Sequence, residues 1–519
     1  MAAVTAQRRY RIFLASLALI GSLLVWLATF NYGPGLSSDG ASYLSTAEHL
    51  LAGNGFTDYL DRPLVNWPPL YPIVLAATSL ATGIEPFVAG QIVNIVAFGV
   101  IILLGGLLLE RSLPGNWTVC IAASLILAGS LPILEVSANI ASDPLFMVAI
   151  LAFLLVAQDY AKSRARGLWW ALIIIATVAS LLRYAGSALI FSGVVLSFAV
   201  WRSSLRRGFA EASAFGLSAA PLAAWALFHN LPASGTLLGT HLPADPLGNS
   251  KFAIDKVVGW FVPESVLNSV PAIAFAALVA LVLIVLSKRS RWKAWGKRVS
   301  NPEILPTAIF FVAYSALLVF ALSYGPHRFP GSQRIHVVIL PMLMVLGTVT
   351  AEAFLPRAAP QWRKAFLAIF ALWLLFPFYR VGVYVVASMQ SGDISFYNIY
   401  NTRKLIESDV VTELRNSPPP ADTKIYTNNE GAAWFYLRRR VYSLPRCETD
   451  ACDDLIKVMT TFRGWPGPDE EAVLIWFKRD LEYKDLIPPL DQVDKFVHLE
   501  LTFQSRYGNM YSLEVDSNN

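Results

Sequence analysis

The sequence predicts a polytopic α-helical membrane protein with a small α/β domain at its C-terminal end, and three observations carry that prediction. Hydrophobic residues make up 55% of the chain and charged residues only 15%, with a mean hydropathy of +0.50, a balance outside the range of ordinary soluble domains. Apolar runs of near-spanning length recur as far as residue 388, separated by short polar loops. From residue 389 charged residues become frequent, and short strand-like runs replace the long apolar ones. Length alone, 519 residues, would allow about three soluble domains, but composition overrides it. The net charge of +5 arises from basic residues clustered between the spans, so it does not point to nucleic acid.

Hydropathy places about eleven spans, near 12–31, 87–109, 116–134, 140–157, 168–183, 185–201, 209–228, 269–287, 305–324, 335–354 and 364–388. The first follows Arg8, Arg9 and Arg11 but lacks a small-residue cleavage site, so it reads as an uncleaved signal anchor. A shorter apolar run, 69–82, reads as a helix on or dipping into the interface. Lys and Arg concentrate in alternate loops: Arg8 to Arg11, Arg111, Lys162 to Arg166, Arg202 to Arg207, Lys288 to Arg298, and Arg357 to Lys364. The intervening loops hold few, which makes the N-terminus cytoplasmic. An odd number of spans then puts the first long loop and the tail on the far side, and in a bacterium the membrane is the inner one. The domain plan is a transmembrane module over 1–388, with a first external loop at 32–86 carrying amphipathic helices, and an extracytoplasmic α/β domain over 389–519.

That first loop is the most informative polar stretch. Leu36-Ser37-Ser38-Asp39-Gly40-Ala41-Ser42-Tyr43 sets a carboxylate a few residues outside a span, where partial loss of hydration makes an unused charge costly. Helix capping by Asp39 or a neighbouring Ser is the plain alternative. Asp143 opens the fourth span in Ser142-Asp143-Pro144, again the pattern of a helix N-terminus. Arg183-Tyr184 separates two spans in a very tight hairpin, although an Arg snorkelling from a helix end is ordinary. His327, Arg328, Arg334 and His336 lie in a Gly- and Pro-rich stretch that would suit a phosphate group or simple interface anchoring. Trp67-Pro68-Pro69, with Tyr71, reads as an aromatic belt or as a wall for a sugar.

The tail offers a helix-like run from Arg403 to Arg415 and strand-like runs at Lys424 to Thr427, Ala472 to Phe477, Phe496 to Phe503 and Tyr511 to Val515. No phosphate loop, zinc spacing or Ser-His-Asp set accompanies them. Cys447 and Cys452 could close a small disulfide loop in an oxidising compartment, while Cys120, inside a span, reads as a small hydrophobe. A far-side carboxylate with several Arg near the membrane surface suits one reaction class. An acceptor hydroxyl attacks a sugar carbon whose leaving group is a lipid-linked phosphate; the carboxylate orients or deprotonates the nucleophile, and the Arg side chains stabilise the departing charge.

The ordered set Ser38-Asp39-Gly40-Ala41-Ser42-Tyr43, Gly53-Asn54-Gly55-Phe56, Trp67-Pro68-Pro69-Leu70-Tyr71-Pro72, Ser142-Asp143-Pro144-Leu145-Phe146, Arg183-Tyr184 and Arg334 to Pro341 resembles the GT-C superfamily of polyprenyl-phosphate-dependent glycosyltransferases. It looks closest to the bacterial branch with protein O-mannosyltransferase-like and lipid A aminoarabinose transferase-like enzymes. The resemblance implies Asp39 as catalytic carboxylate and Asp143 as the second acidic residue. Arg183, Tyr184, His327, Arg328, Arg334, Trp67 and Tyr43 become candidate substrate contacts. It implies a polyprenyl-phosphate sugar donor, a glycan, lipid or protein acceptor, membrane lipids as surroundings and no nucleic acid. A divalent metal, which some relatives bind through paired acidic residues in this loop, is weakly supported because Ser38 precedes Asp39. The rival class is a transporter or lipid flippase, which predicts internal repeats with broken helices at the membrane midplane; no convincing repeat is visible.

Overall fold

The computed structural model describes residues 2–238, 249, 257–260, 288–324, 333–354, 360–392, 400–445, 459, 462, 464–466, 470–478 and 487–514. The expected span at 269–287, the residues His327 and Arg328, and the Cys447–Cys452 loop lie outside the described residues. Contacts divide the chain into two compact units, one comprising Met1–Leu27, Val65–Tyr71 and Ile92–Val386, the other Ala28–Leu64, Pro72–Gln91 and Ala387–Asn519.

The helices begin with α1 (Ala2–Ala28), α2 (Ser38–Leu51), α3 (Leu70–Thr82), α4 (Pro86–Ser112), α5 (Trp117–Ala128), α6 (Leu131–Ser137), α7 (Asp143–Ser163), α8 (Arg166–Leu182) and α9 (Ser187–Val200). Next come α10 (Leu205–Gly216), α11 (Ala220–Trp225), α12 (Leu231–Ser234), α13 (Arg289–Val299), α14 (Leu305–Tyr324), α15 (Gln333–Val337), α16 (Leu340–Phe354) and α17 (Pro360–Ser391). Among the described residues five helical stretches are long and apolar enough to cross a membrane, and six if the bent pair α5–α6 counts as one.

Several interruptions have local causes. The run expected as one span at 116–134 bends by 45° between α5 and α6, where Gly129 and Ser130 precede Pro132 in the first turn of α6. Proline lacks an N–H and restricts the residue before it, so the chain restarts there. The expected span 335–354 is likewise two helices, α15 and α16, with Pro341 at the start of the second. Between α8 and α9 a single 3-10 turn, Tyr184–Gly186, reverses the chain. Beyond α10 the helix changes type twice, to a 3-10 turn at Leu217–Ala219 and a π turn at Ala226–Asn230, with proline near the start of both α11 and α12.

In the first unit α1 and α4 cross closely because glycine lines the contact. A Cβ on Gly99 would lie 2.4 Å from Ser22 Oγ and 3.0 Å from Ala18 O, and one on Gly106 would meet Leu14. Such small residues let backbones approach where no hydrophobic drive separates helix from lipid. Glu110 on α4 anchors Arg11 at 3.1 Å, and Tyr10 donates to Gly106 O at 3.0 Å.

The second unit holds a five-stranded mixed sheet, β1 (Lys424–Thr427), β2 (Tyr442–Ser443), β3 (Ala472–Phe477), β4 (His498–Gln504) and β5 (Gly508–Glu514), in the order β2-β1-β3-β5-β4. β1 runs parallel to β2 and β3, and β5 pairs antiparallel with β3 and β4. Buried Tyr426, Leu474 and Leu513 with Val493 and Val497 form its core. The run expected as one helix over Arg403 to Arg415 is two, α18 (Arg403–Ile406) and α19 (Asp409–Asn416), because Ser408 caps a new start by accepting from Val411 N–H.

Within this unit the segment that follows α1 bonds to the tail: Asn31 donates to Met389 O, Asn401 donates to Tyr32 O and Pro34 O, and Tyr400 N–H donates to Leu36 O.

Gly186 is the tightest point of the α8–α9 turn: a Cβ there would stand 2.4 Å from the backbone of Ala179 and Ser180. Backbone cannot yield as a side chain can. Gly186→Ala should therefore destabilise the protein by about 1–3 kcal/mol, read as a lowered thermal midpoint of the detergent-solubilised chain, while Gly167→Ala, which meets nothing within 4 Å, should leave the midpoint near wild type.

Candidate active site

The first unit assembles two of the expected residues, Arg183 and Arg334, around a third, the carboxylate of Asp143. Asn94, buried on α4, donates to Asn139 O at 2.6 Å and Ala141 O at 3.3 Å, fixing the loop that delivers Asp143 to the start of α7. The Asp143 side chain is 1% exposed. Arg334, in α15, donates from Nε and Nη2 to its Oδ2 at 3.0 and 2.9 Å, and Arg183 Nη1 stands 2.8 Å from its Oδ1. Arg183 also donates to Ser142 Oγ at 3.3 Å. The two Arg side chains are 18% and 10% exposed.

This arrangement settles two readings that the sequence left open. Neither Ser142 nor Asp143 caps α7 in the ordinary way: Ser142 makes no side-chain cap bond, and the Asp143 oxygens face guanidinium groups. Arg183 does not snorkel to water, since its head group is held beside a buried carboxylate. Charge-assisted bonds of this kind are short and directional, and removing water from them is repaid only by close geometry. Among the described residues the cluster sets two guanidinium groups against one carboxylate.

Tyr184 extends the site in another direction. Its hydroxyl donates to Val65 O at 2.8 Å and accepts from Asn230 Nδ2, also at 2.8 Å. Asn230 lies in the π turn and donates further to Leu237 O. Adjacent residues Arg183 and Tyr184 thus bind two different segments of the unit. Trp67 is half-buried two residues beyond Val65, with Pro68 and Pro69 buried. Tyr314, fully buried on α14, donates to Ile335 O at 2.9 Å and so fastens the residue next to Arg334.

Asp39 belongs to the second unit. It sits half-buried in the first turn of α2, where a negative charge is favoured by the helix dipole. The cap itself is Ser37, which accepts from Gly40 N–H, so capping does not account for Asp39. From Gly40 to Ala47 the helix is buried. Tyr43 is among those residues and has no exposed surface. Glu48 pairs with Arg438 at 2.6 Å, and Asp61 with Arg440 at 3.2 Å. The Arg438 guanidinium also lies over Trp434 and Phe435.

Sequence reasoning missed Asn94, Asn230 and Tyr314. All three are polar residues inside apolar helical runs, and that was the available signal. Among the described residues no three His, Cys, Asp or Glu side chains gather into a metal-binding group, and Asp143 is turned to guanidinium groups.

No family model and no curated protein matches the sequence, but solved structures do. ArnT from Cupriavidus metallidurans in the apo state aligns with a TM-score of 0.59 at 13% identity, over 96% of this chain and 97% of that one. The same protein bound to undecaprenyl phosphate gives 0.58 at 14%, over 96% and 97%. The archaeal oligosaccharyltransferase AglB from Archaeoglobus fulgidus, in complex with an inhibitory peptide and a dolichol-phosphate, gives 0.51 at 12%, over 98% of this chain and 75% of that one. These are GT-C glycosyltransferases. The chain has their fold, that of a polytopic membrane protein.

Asp143→Asn removes the charge between two buried guanidinium groups, and loss of one partner from such a group costs about 3–5 kcal/mol. Arg183→Gln should cost less, because Arg334 continues to neutralise Asp143. Thermal melts of both variants check the order, and an Asp143→Asn protein as stable as wild type would show that the cluster does not hold the unit together.

Proposed function

We propose that this protein is a membrane glycosyltransferase that moves a sugar from a polyprenyl-phosphate donor to an acceptor hydroxyl on the extracytoplasmic face. The observation that carries the reading is the shared fold with ArnT over nearly the whole of both chains, one form of which holds undecaprenyl phosphate. The buried Asp143–Arg183–Arg334 cluster supports it. In this reading Asp143 does not touch the reacting atoms. It positions the two Arg side chains so that their remaining N–H groups stabilise the lipid phosphate as it leaves. Arg328 and His327 add to the cationic rim, and Tyr184 and Trp67 shape the sugar side.

Asp39 is the base. The acceptor O–H attacks the anomeric carbon as the bond from that carbon to the phosphate oxygen breaks. The proton passes to the Asp39 carboxylate, and the polyprenyl phosphate leaves with the electron pair. A phosphate leaving group needs no proton, so one base suffices and the anomeric centre inverts. The acceptor is a glycan, lipid or protein hydroxyl. The remaining plan belongs to the same proposal: about eleven spans, a transmembrane module over 1–388, an extracytoplasmic α/β domain over 389–519, and a bacterial inner-membrane location with the N-terminus in the cytoplasm.

The test is transfer of radiolabelled sugar from a defined polyprenyl-phosphate donor by the purified full chain in liposomes. Asp39→Asn should lower the rate by about 10²–10⁴-fold with an unchanged thermal midpoint. Full activity in that variant would remove Asp39 from the chemistry. Arg183→Lys keeps the charge but loses the planar fork, so it should slow transfer at saturating donor.

A further inference from the structure

One end of the first unit is knit by polar contacts that have no part in the proposed chemistry. There α4 and α7 finish, α14 begins and α16 finishes. Arg298 donates to Ser112 O at 2.8 Å, Gln158 donates to Glu303 O at 2.6 Å, Lys162 pairs with Glu303 at 3.2 Å, and Arg111 pairs with Asp159 at 2.9 Å. Helix α13 lies at this end. Its eleven residues, Arg-Ser-Arg-Trp-Lys-Ala-Trp-Gly-Lys-Arg-Val, include no acidic side chain, and none of them is buried.

The helix is fastened along one side. Trp292 and Trp295 pack against Phe354 with ring centroids 4.8 and 6.4 Å away. Trp295 Nε1 donates to Thr350 Oγ1 at 3.2 Å, and Arg291 donates to Phe354 O at 2.9 Å. Arg289, Lys293 and Lys297 are exposed, and their spacing of four sets them in one stripe. By itself that stripe is unfavourable. Like charges four apart repel, and Arg289 and Arg291 place positive charge at the positive end of the helix dipole. A facing layer of negative charge reverses both terms.

We propose that α13 is a lipid-binding helix lying on the headgroups of anionic phospholipids, with Arg289, Lys293 and Lys297 contacting phosphate and Trp292 at the headgroup boundary. Its position beside the ends of apolar helices fits an interfacial helix, as does its pairing of Trp with cations. A soluble acidic partner would not require the Trp side to sit at the ends of membrane helices. The inference rests only on the membrane character of the chain, so it stands or falls separately from the transfer reaction.

Hydrogen exchange tests it on the full chain in nanodiscs of phosphatidylcholine alone or with added phosphatidylglycerol. Anionic lipid should slow exchange across residues 289–299 several-fold, since each basic residue near such a surface strengthens attachment about fivefold. The triple variant Arg289→Gln, Lys293→Gln, Lys297→Gln should lose the difference between the two bilayers, while exchange in α4 and α7 stays at wild-type rates and reports an intact fold. Equal rates for the wild type in both bilayers would overturn the proposal, and so would an undiminished difference in the triple variant.

Discussion

A single buried carboxylate organises the membrane unit. Asp143 is almost without exposed surface and faces guanidinium groups from two distant parts of the chain, Arg183 and Arg334. All three charged residues sit where a helix has just begun or just ended: at the start of α7, at the break between α8 and α9, and in the short α15 ahead of α16. The coincidence has a physical basis. Breaking a helix among apolar neighbours frees backbone donors and acceptors, which is tolerated where protein or a cavity receives them. Charged side chains inside a membrane protein also demand partners. Bringing the breaks together satisfies both requirements at one place.

The surrounding contacts serve that arrangement. Asn94 holds the carbonyls leading into Asp143, Tyr314 holds the carbonyl next to Arg334, and Gly186 lets the turn after Arg183 close on the end of α8. Tyr184 and Asn230 carry the same turn toward the Trp67 segment. Positioning of this kind matters for electrostatic catalysis, because donors fixed in advance need no reorganisation as charge develops. In the second unit a comparable role falls to Asn401, whose amide bridges Tyr32 O and Pro34 O just ahead of the helix carrying Asp39.

The candidate site was legible in its residue types and obscure in its wiring. Asp143, Arg183 and Arg334 each stood out as a charge beside an apolar run, yet each also had an ordinary explanation as a cap, a snorkelling side chain or an interface anchor. Nothing in the spacing shows that positions 143, 183 and 334 meet, because periodicity reports only neighbours within one helix. Tyr43 was conspicuous for its place in a polar stretch, and the helical turn carries its ring to the buried face of α2. Asn94 and Asn230 passed unnoticed because an amide in an apolar run looks neutral until its carbonyl partners are known.

Sequence by itself determined that the chain is a multi-spanning helical membrane protein, since apolar runs of bilayer length admit few other outcomes. It also located strands β1 and β3 to the residue, because short β-branched and aromatic runs bounded by polar loops form strands locally. Tertiary structure alone decided which interrupted helices come together, which Arg side chains share a carboxylate, and that the segment after α1 bonds to the tail. Those outcomes depend on contacts between residues tens to hundreds of positions apart, which no local pattern encodes.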